Sequence, residues 1–316
     1  MKRKNLLQLG IGLIGGEWLQ HKWGYSLSSA VIEQALRVIK PFPEVTAAKY
    51  QQALIENKAP FKLPDFAAKM GFRLWSKYSD TYCLNKYATA RGRVVFYLHG
   101  GGFWQQPTYF HYAFLVKLAR HLQAQIIMPI YPKIPTYNVF ETEPMVLHTY
   151  QQLLETGVKP NQIVLMGDSA GGGLSLVLLE QLQKLHYQQP RQAILFSPWL
   201  DVQTNNPKMT MIQRYDHLLT AADLQLRGRL YAGKLKTDNP LVSPLYGNLT
   251  GLAPLYVFSG THDILHVDAQ RLQHRALIQK LPLQVFTYPK MAHDFVLYPI
   301  PEARLVLNQV VEIVTA

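Results

Sequence analysis

Val164-Leu165-Met166-Gly167-Asp168-Ser169-Ala170-Gly171-Gly172-Gly173 is the stretch on which the fold turns. The aliphatic run from Ile163 to Met166 reads as a buried strand, and Leu174-Ser175-Leu176-Val177-Leu178-Leu179 reads as a helix. Gly-x-Ser-x-Gly lies between them, where a sharp strand-to-helix turn would leave Ser169 standing at the end of a sheet with a helix N-terminus behind it. Glycine and serine also fill ordinary βα loops, so the surrounding chain has to decide.

Outward from this turn, strands and helices alternate. Arg93 to Leu98 forms a buried strand that runs into His99-Gly100-Gly101-Gly102-Phe103-Trp104, with a helix from about Tyr109 to Leu122. Further strands are predicted at Ala124 to Ile130, Ala193 to Phe196, Leu255 to Phe258 and Leu283 to Tyr288, and two strand-like runs precede them at Phe72 to Tyr78 and Thr81 to Ala88. Helices are expected over Val139 to Leu154 and Glu302 to Val314. The pattern defines an α/β protein with a doubly wound, mostly parallel sheet of eight strands, whose ligands bind outside the carboxyl ends of the strands. The Gly-rich loop, Ser169, Asp263 and His293 all fall at such ends.

Two parts do not belong to that sheet. Ser26 to Ile39 and the weaker Thr46 to Asn57 are helical patterns ahead of the first strands, ended by Pro41 and Pro43 and by Pro60 and Pro64. Between Asp201 and Leu252 the alternation breaks, and Asp216 to Leu235 reads as a helix in an insertion. The expected organisation is therefore N-terminal helices within 1–70 and an insertion at 201–239, together covering a core formed by 71–200 and 240–316.

The chain has 316 residues, 48% hydrophobic and 16% charged, the make-up of a globular protein. One cysteine, Cys83, rules out an intramolecular disulfide framework. No Cys/His cluster has metal-ligand spacing, so no metal is expected. The formal charge of +12 comes without a long Lys/Arg run or a nucleic-acid motif; it argues against nucleic-acid binding and is compatible with weak association with an anionic membrane or wall surface. Lys2-Arg3-Lys4 and the apolar run to Ile14 resemble a short signal peptide without a convincing cleavage site. Helix packing, a surface anchor and an export signal all fit, with packing in a cytoplasmic protein preferred. A homodimer is a further expectation.

The chemistry follows from residue type and place. A serine hydroxyl needs a base in hydrogen-bond reach and a third group to orient that base. His293 is the best base and Asp263 the best orienter. Asp268, one helical turn beyond Asp263, is the chief rival for the acid, though it more readily starts a helix or holds a loop. Asp294 is a weaker rival, because it adjoins His293 and would need an awkward turn to reach it. The three glycines after the Arg93–Leu98 strand leave main-chain N–H groups open to an anion, so Gly101 and Gly102, with Ala170 after the serine, are the expected oxyanion donors. A phosphate-binding reading lacks the Lys-Ser/Thr ending of a P-loop. His99, Phe103, Trp104 and Trp199, with Tyr231, are candidates to line the substrate pocket, although aromatic residues at strand ends equally often pack.

These motifs resemble the hormone-sensitive-lipase-like branch of the α/β-hydrolases, the bacterial carboxylesterases with a His-Gly-Gly-Gly loop. His99 to Phe103 match its oxyanion motif, Gly167 to Gly172 its Gly-Asp-Ser-Ala-Gly-Gly elbow, Asp263-Ile264-Leu265 with Asp268 its acid segment, and His293 with Phe295 its histidine segment. Asp238 to Leu245 is similar to the stretch that re-enters the core from the cap. The likeness spans about Gly92 to Phe295. It implies a helical cap in two parts, a small ester of short or medium acyl chain as substrate, and no cofactor. One segment departs: Tyr131-Pro132-Lys133-Ile134-Pro135-Thr136 stands where the family usually has Tyr-Arg-Leu-Ala-Pro-Glu, which puts the bracing of that loop in question. Hydrolysis of an amide, a formamide or an acetylated sugar is the neighbouring alternative. A non-catalytic ligand receptor is the remote one, since the receptor that resembles this family lacks the histidine.

Overall fold

The computed structural model describes residues 25–39, 44–76, 79–85, 87–88 and 92–316. The basic and apolar N-terminal run lies outside them, and so do its three readings. Before the sheet come α1 (Leu27–Ile39), α2 (Ala47–Glu56) and α3 (Asp65–Met70). The alternating body follows: β1 (Arg73–Ser76), β2 (Thr81–Leu84), β3 (Val94–Leu98), α4 (Tyr109–Leu122), β4 (Gln125–Pro129), α5 (Val139–Glu155), β5 (Ile163–Asp168), α6 (Ser169–Lys184) and β6 (Gln192–Phe196). After the insertion helices α7 (Pro207–Gln213) and α8 (Ala221–Ala232), the chain ends with β7 (Leu255–Gly260), α9 (His266–Gln279), β8 (Leu283–Tyr288) and α10 (Pro301–Thr315).

The eight strands form one sheet in the order β1-β2-β4-β3-β5-β6-β7-β8. β2 pairs antiparallel with β1 and β4, and every pairing from β4 to β8 is parallel. The chain goes from β3 to one side, to β4, and then returns to the other side of β3 as β5. That reversal opens a crevice at the carboxyl ends of β3 and β5, where an open α/β sheet binds its ligands.

Both faces are covered because successive residues point to opposite sides. Val94, Phe96, Leu98, Leu165 and Leu195 enter the core under α5, α6 and α9. Val95, Tyr97, Val164, Met166, Ile194 and Phe196 enter the opposite one under α4 and α10. With both faces buried, the parallel strands read as near-continuous apolar runs rather than as alternating ones.

The insertion differs from the helix expected over Asp216 to Leu235. Asp216 Oδ1 accepts the N–H groups of Leu218 and Leu219, at 3.0 and 2.9 Å, which folds this stretch into a turn. Thr220 then caps α8 through Asp223 N–H, and Asn206 caps the separate helix α7. α3 was also not foreseen; it is six residues long, ends at Gly71 with φ +108°, and is too short for a periodic signal. The second strand is shorter than expected, ending at Leu84, while residues 77 and 78 of the first expected strand lie outside the described residues.

The N-terminal segment is tied to the last helix. Glu302 at the start of α10 accepts the Ser26 N–H at 2.5 Å, the Ser26 hydroxyl at 2.9 Å and the Ser29 hydroxyl at 2.5 Å. Further along α1, Glu33 Oε1 lies 3.2 Å from His262 Nδ1 in the loop after β7 and 3.8 Å from His217 Nε2 in the insertion. One carboxylate thus joins three segments that are far apart in sequence.

Candidate active site

The turn between β5 and α6 is fixed by close backbone approaches. A Cβ on Gly171 would run into the Leu98 carbonyl, one on Gly173 into the Trp199 carbonyl, and one on Gly100 into the Asp168 carboxylate. These glycines let α6 start directly against the ends of β3 and β6. Ser169 itself sits in the left-handed region with φ +51°, a conformation a non-glycine residue keeps only when its surroundings hold it there. Its carbonyl accepts the Trp199 N–H at 2.9 Å.

Asp168 supports the turn from below. Its Oδ1 accepts the Tyr97 hydroxyl at 2.6 Å, and its Oδ2 lies 3.1 Å from His111 Nε2. Burial would push the Asp168 carboxyl up, but the His111 charge, the hydrogen bonds from His111 and Tyr97 and one from the Gly100 main chain outweigh it and hold the carboxyl below its ordinary value. For His111 burial pulls down, and the Asp168 carboxylate more than reverses it, so the imidazole is raised. In the neutral ring Nδ1 accepts the Thr108 N–H at 3.0 Å, and in the charged ring it donates to the Thr108 hydroxyl at 2.9 Å, at the start of α4 in either form.

Three side chains from separate strand ends meet above this support. His293 Nε2 lies 2.9 Å from Ser169 Oγ, and His293 Nδ1 lies 2.9 Å from Asp263 Oδ2. The other Asp263 oxygen accepts the Leu265 N–H at 2.9 Å. His293 and Asp263 are fully buried and Ser169 is 4% exposed. Asp268 is not part of this line. Its carboxylate accepts the Asp201 N–H at 3.2 Å and pairs with Arg271 at 3.2 Å, so it holds the loop after β6 to the start of α9.

Two acidic residues do more than their sequence positions suggested. Asp294 does reach His293, because a left-handed backbone at φ +52° turns it back; its Oδ2 lies 3.1 Å from Nε2, not Nδ1. It is therefore no rival of Asp263 for orienting the ring. Asp216, from the insertion, accepts the Ile264 N–H at 2.9 Å and so fixes the segment that carries Asp263. Burial, aided by the Asp263 charge, pushes the Asp216 carboxyl up to about 7. Nothing in the sequence around Asp216 signals this long-range contact. The adjacency of Asp294 to His293 was visible, but its direction depends on one backbone angle.

Gly101 and Gly102 adopt φ +111° and +61°, and Phe103 follows at +58°. This left-handed run turns the loop so that the N–H groups of Trp104 and Gln105 both bond to the Gly101 carbonyl, at 3.1 and 3.0 Å. The N–H groups of Gly101 and Gly102 enter none of these loop bonds. Successive left-handed residues make a main-chain concavity suited to an anion. Arg227 of α8 lies against Gly102, where a Cβ would stand 3.1 Å from its Cδ.

The departing loop is braced by other partners. The Tyr131 hydroxyl donates to the His99 carbonyl at 2.6 Å, and its ring stacks on the His99 imidazole at 4.6 Å. Ile134 N–H donates to the Phe103 carbonyl at 3.0 Å, and Asn57 at the end of α2 donates to the carbonyls of Lys133 and Ile134. Lys133 is buried with its ammonium nitrogen bonded to the Tyr131 carbonyl and lying 3.6 Å from the Tyr131 ring centre, and burial holds its pKa well below the ordinary value.

The aromatic candidates divide by exposure. Phe103 stacks on Tyr231 of α8 with ring centres 3.5 Å apart, and Trp199 lies 5.7 Å from Phe103 with its indole N–H bonded to Asp201 and Thr204. All three are buried, as is His99, while Trp104 is half-buried with Arg227 above its ring. Among the described residues no group of three or more His, Cys, Asp or Glu side chains could hold a metal ion.

A mostly parallel sheet with a serine on a strand-to-helix turn, an imidazole and a carboxylate at its carboxyl edge is the architecture of an α/β hydrolase. The family model described as alpha/beta hydrolase fold matches residues 95–297, and the chain belongs to that family. It is 31% identical over 227 residues to an esterase of Acinetobacter venetianus, covering 71% of this chain and 75% of the relative. With an acetyl-hydrolase of Streptomyces hygroscopicus it shares 32% identity over 215 residues, 67% of this chain and 72% of the other. The crystal structure of an esterase from the bacterial hormone-sensitive lipase family superposes with a TM-score of 0.69 at 25% identity, covering 85% of this chain and 98% of that one. The particular protein is thus an ester hydrolase of the hormone-sensitive-lipase-like branch.

Proposed function

We propose that this protein is a serine carboxylesterase acting on small esters of short or medium acyl chain, working through an acyl-enzyme on Ser169. The observation that carries this reading is the single imidazole of His293, 2.9 Å from both the Ser169 hydroxyl and the Asp263 carboxylate. A serine with such a base becomes a nucleophile once Nε2 of the imidazole is free to take its proton.

Ser169 Oγ attacks the ester carbonyl while His293 Nε2 takes its proton. Asp263 keeps the proton on Nδ1 and stabilises the imidazolium. The tetrahedral oxyanion is received by the N–H groups of Gly101, Gly102 and Ala170, each such donor being worth about 10²–10³ in rate. When the C–O bond breaks, His293 returns its proton to the leaving alcohol, and water then repeats the sequence on the acyl-enzyme with His293 again as base.

The helices α7 and α8, with α1 and α2, serve as the cap that sets substrate size. This reading is supported by the Phe103–Tyr231 stack and the Arg227 side chain beside Gly102, which join α8 to the Gly-rich loop, and by Glu33, which links α1 to the segment bearing Asp263. Aromatic packing this close to the loop favours a short acyl group, as does the similarity to an acetyl-hydrolase.

Purified protein should hydrolyse p-nitrophenyl acetate and butyrate, and Ser169→Ala should lower turnover by about 10⁴-fold or more with an unchanged circular dichroism spectrum. A Ser169→Ala protein as active as the wild type would end this reading.

A further inference from the structure

The second carboxylate at His293 has no part in the cycle above. Asp294 Oδ2 lies 3.1 Å from Nε2, the same nitrogen that stands 2.9 Å from Ser169 Oγ. The imidazole therefore has a carboxylate at each end, Asp263 at Nδ1 and Asp294 at Nε2. A ring nitrogen has one in-plane site for a proton or a lone pair, so Asp294 and Ser169 compete for it. Asp294 is held in that place by its left-handed backbone, by the Ser197 hydroxyl that accepts its N–H at 3.2 Å, and by near-complete burial. Its other oxygen, Oδ1, is buried without a hydrogen-bond partner among the described residues.

We propose that Asp294 holds the Nε2 proton of His293 in the resting enzyme and thereby sets the acid-side limit of ester hydrolysis. This rests on the assignment of His293 as the base. With one proton shared by the pair, Nε2 either donates it to Asp294 or accepts it from the Asp294 hydroxyl. In both forms the lone pair is engaged and cannot take the serine proton. Ser169 becomes a nucleophile only in the fraction of molecules whose His293–Asp294 pair has released that proton to solvent. The cost is lower activity at mildly acidic pH.

The charges around the pair act in the same direction. Asp263 and Asp216 face the imidazole from the loop after β7 and from the insertion, and Asp168 faces Asp294 from the turn before Ser169. The groups on the other elements are the hydroxyls of Tyr97 and Tyr298, which are neutral, and His111, whose charge is taken up by Asp168. Burial pushes the Asp294 carboxyl up to about 7, the neighbouring Asp168 and Asp263 add to this, and His293 opposes it. Burial alone would lower the His293 imidazole, but the Asp294 and Asp263 carboxylates together raise it well above its ordinary value. The shared proton thus persists to higher pH than on an isolated histidine.

The test is the pH profile of kcat/KM for p-nitrophenyl acetate between about pH 5 and 10, measured beside the rate at which a fluorophosphonate modifies Ser169. The variants are Asp294→Asn, which keeps the shape, and Asp294→Gly, which tolerates the left-handed backbone and leaves no side chain at Nε2. In both, the rising limb should move to lower pH by about 1–3 units, the usual effect of removing one close carboxylate, and the phosphonylation limb should move with it. A limb that stays in place in a folded variant, or a loss by the same factor at every pH, overturns the proposal. His293→Ala tests the underlying reading separately: if it is phosphonylated as fast as the wild type, His293 is not the base, whereas an unmoved limb in the Asp294 variants leaves that role intact.

Discussion

Asp168 and His111 form a buried carboxylate–imidazole pair, Oδ2 to Nε2 at 3.1 Å, at the strand end immediately before Ser169. The pair joins the first turn of α4 to the end of β5, and Tyr97 of β3 adds a third point. Removing one partner of a buried pair leaves an uncompensated charge, which typically costs about 3–5 kcal/mol. The sign with pH follows from the two shifts. His111 is raised, so its contribution is complete below its ordinary value of 6.5 and is lost as pH rises through the raised one. Asp168 is lowered, so its contribution is complete above 3.8 and is lost as pH falls through the lowered one. In urea unfolding, His111→Gln should therefore show its largest deficit in mildly acidic buffer and a smaller one in alkaline buffer. An equal deficit in both would mean that His111 is not charged in the folded protein.

Gly171 is where a single methyl group should do most damage. Its Cβ would overlap the Leu98 carbonyl at the end of β3, and neither backbone can retreat without moving the Gly-rich loop or α6. Gly171→Ala is expected to give insoluble protein, or a loss above about 4 kcal/mol of stability. Gly157, in open space at φ +91°, supplies the contrast: its alanine variant carries only backbone strain and should lose about 1–3 kcal/mol. Thermal melts of the two variants compare them directly.

Tyr231 separates packing from polarity. Its ring stacks on Phe103 at 3.5 Å, but its buried hydroxyl has no hydrogen-bond partner among the described residues. Tyr231→Phe removes a desolvated polar group and should leave the melting temperature unchanged or slightly raised. Tyr231→Ala opens a cavity beside the Gly-rich loop and should cost about 3–5 kcal/mol. If α8 sets acyl length, the alanine variant should also shift preference from acetate towards longer p-nitrophenyl esters. A selectivity that does not move would place the acyl group elsewhere.

The sheet was legible because its strands are buried on both faces. Ile163–Met166, Val94–Leu98 and Ala193–Phe196 are unbroken apolar runs, followed by Gly167, His99 and Ser197, where the apolar pattern stops. The insertion was not legible for the opposite reason. Its helices are short, and the break between them comes from Asp216 bonding to two nearby N–H groups, a local event that hydrophobic periodicity does not record.

By itself the sequence determined the eight strands, the turn at Ser169 and the pool of groups from which a base and an acid could be drawn. These depend on residue type and on neighbours a few positions away. Which carboxylate meets which nitrogen was decided by tertiary structure alone. Asp263 and Asp294 are both aspartates near His293; the parallel pairing of β7 with β8 brings the first to Nδ1, and a left-handed backbone turns the second to Nε2. Hydrogen bonds reach only about 3 Å, so a role that depends on one is set by the packing of distant segments, which residue order along the chain does not encode locally.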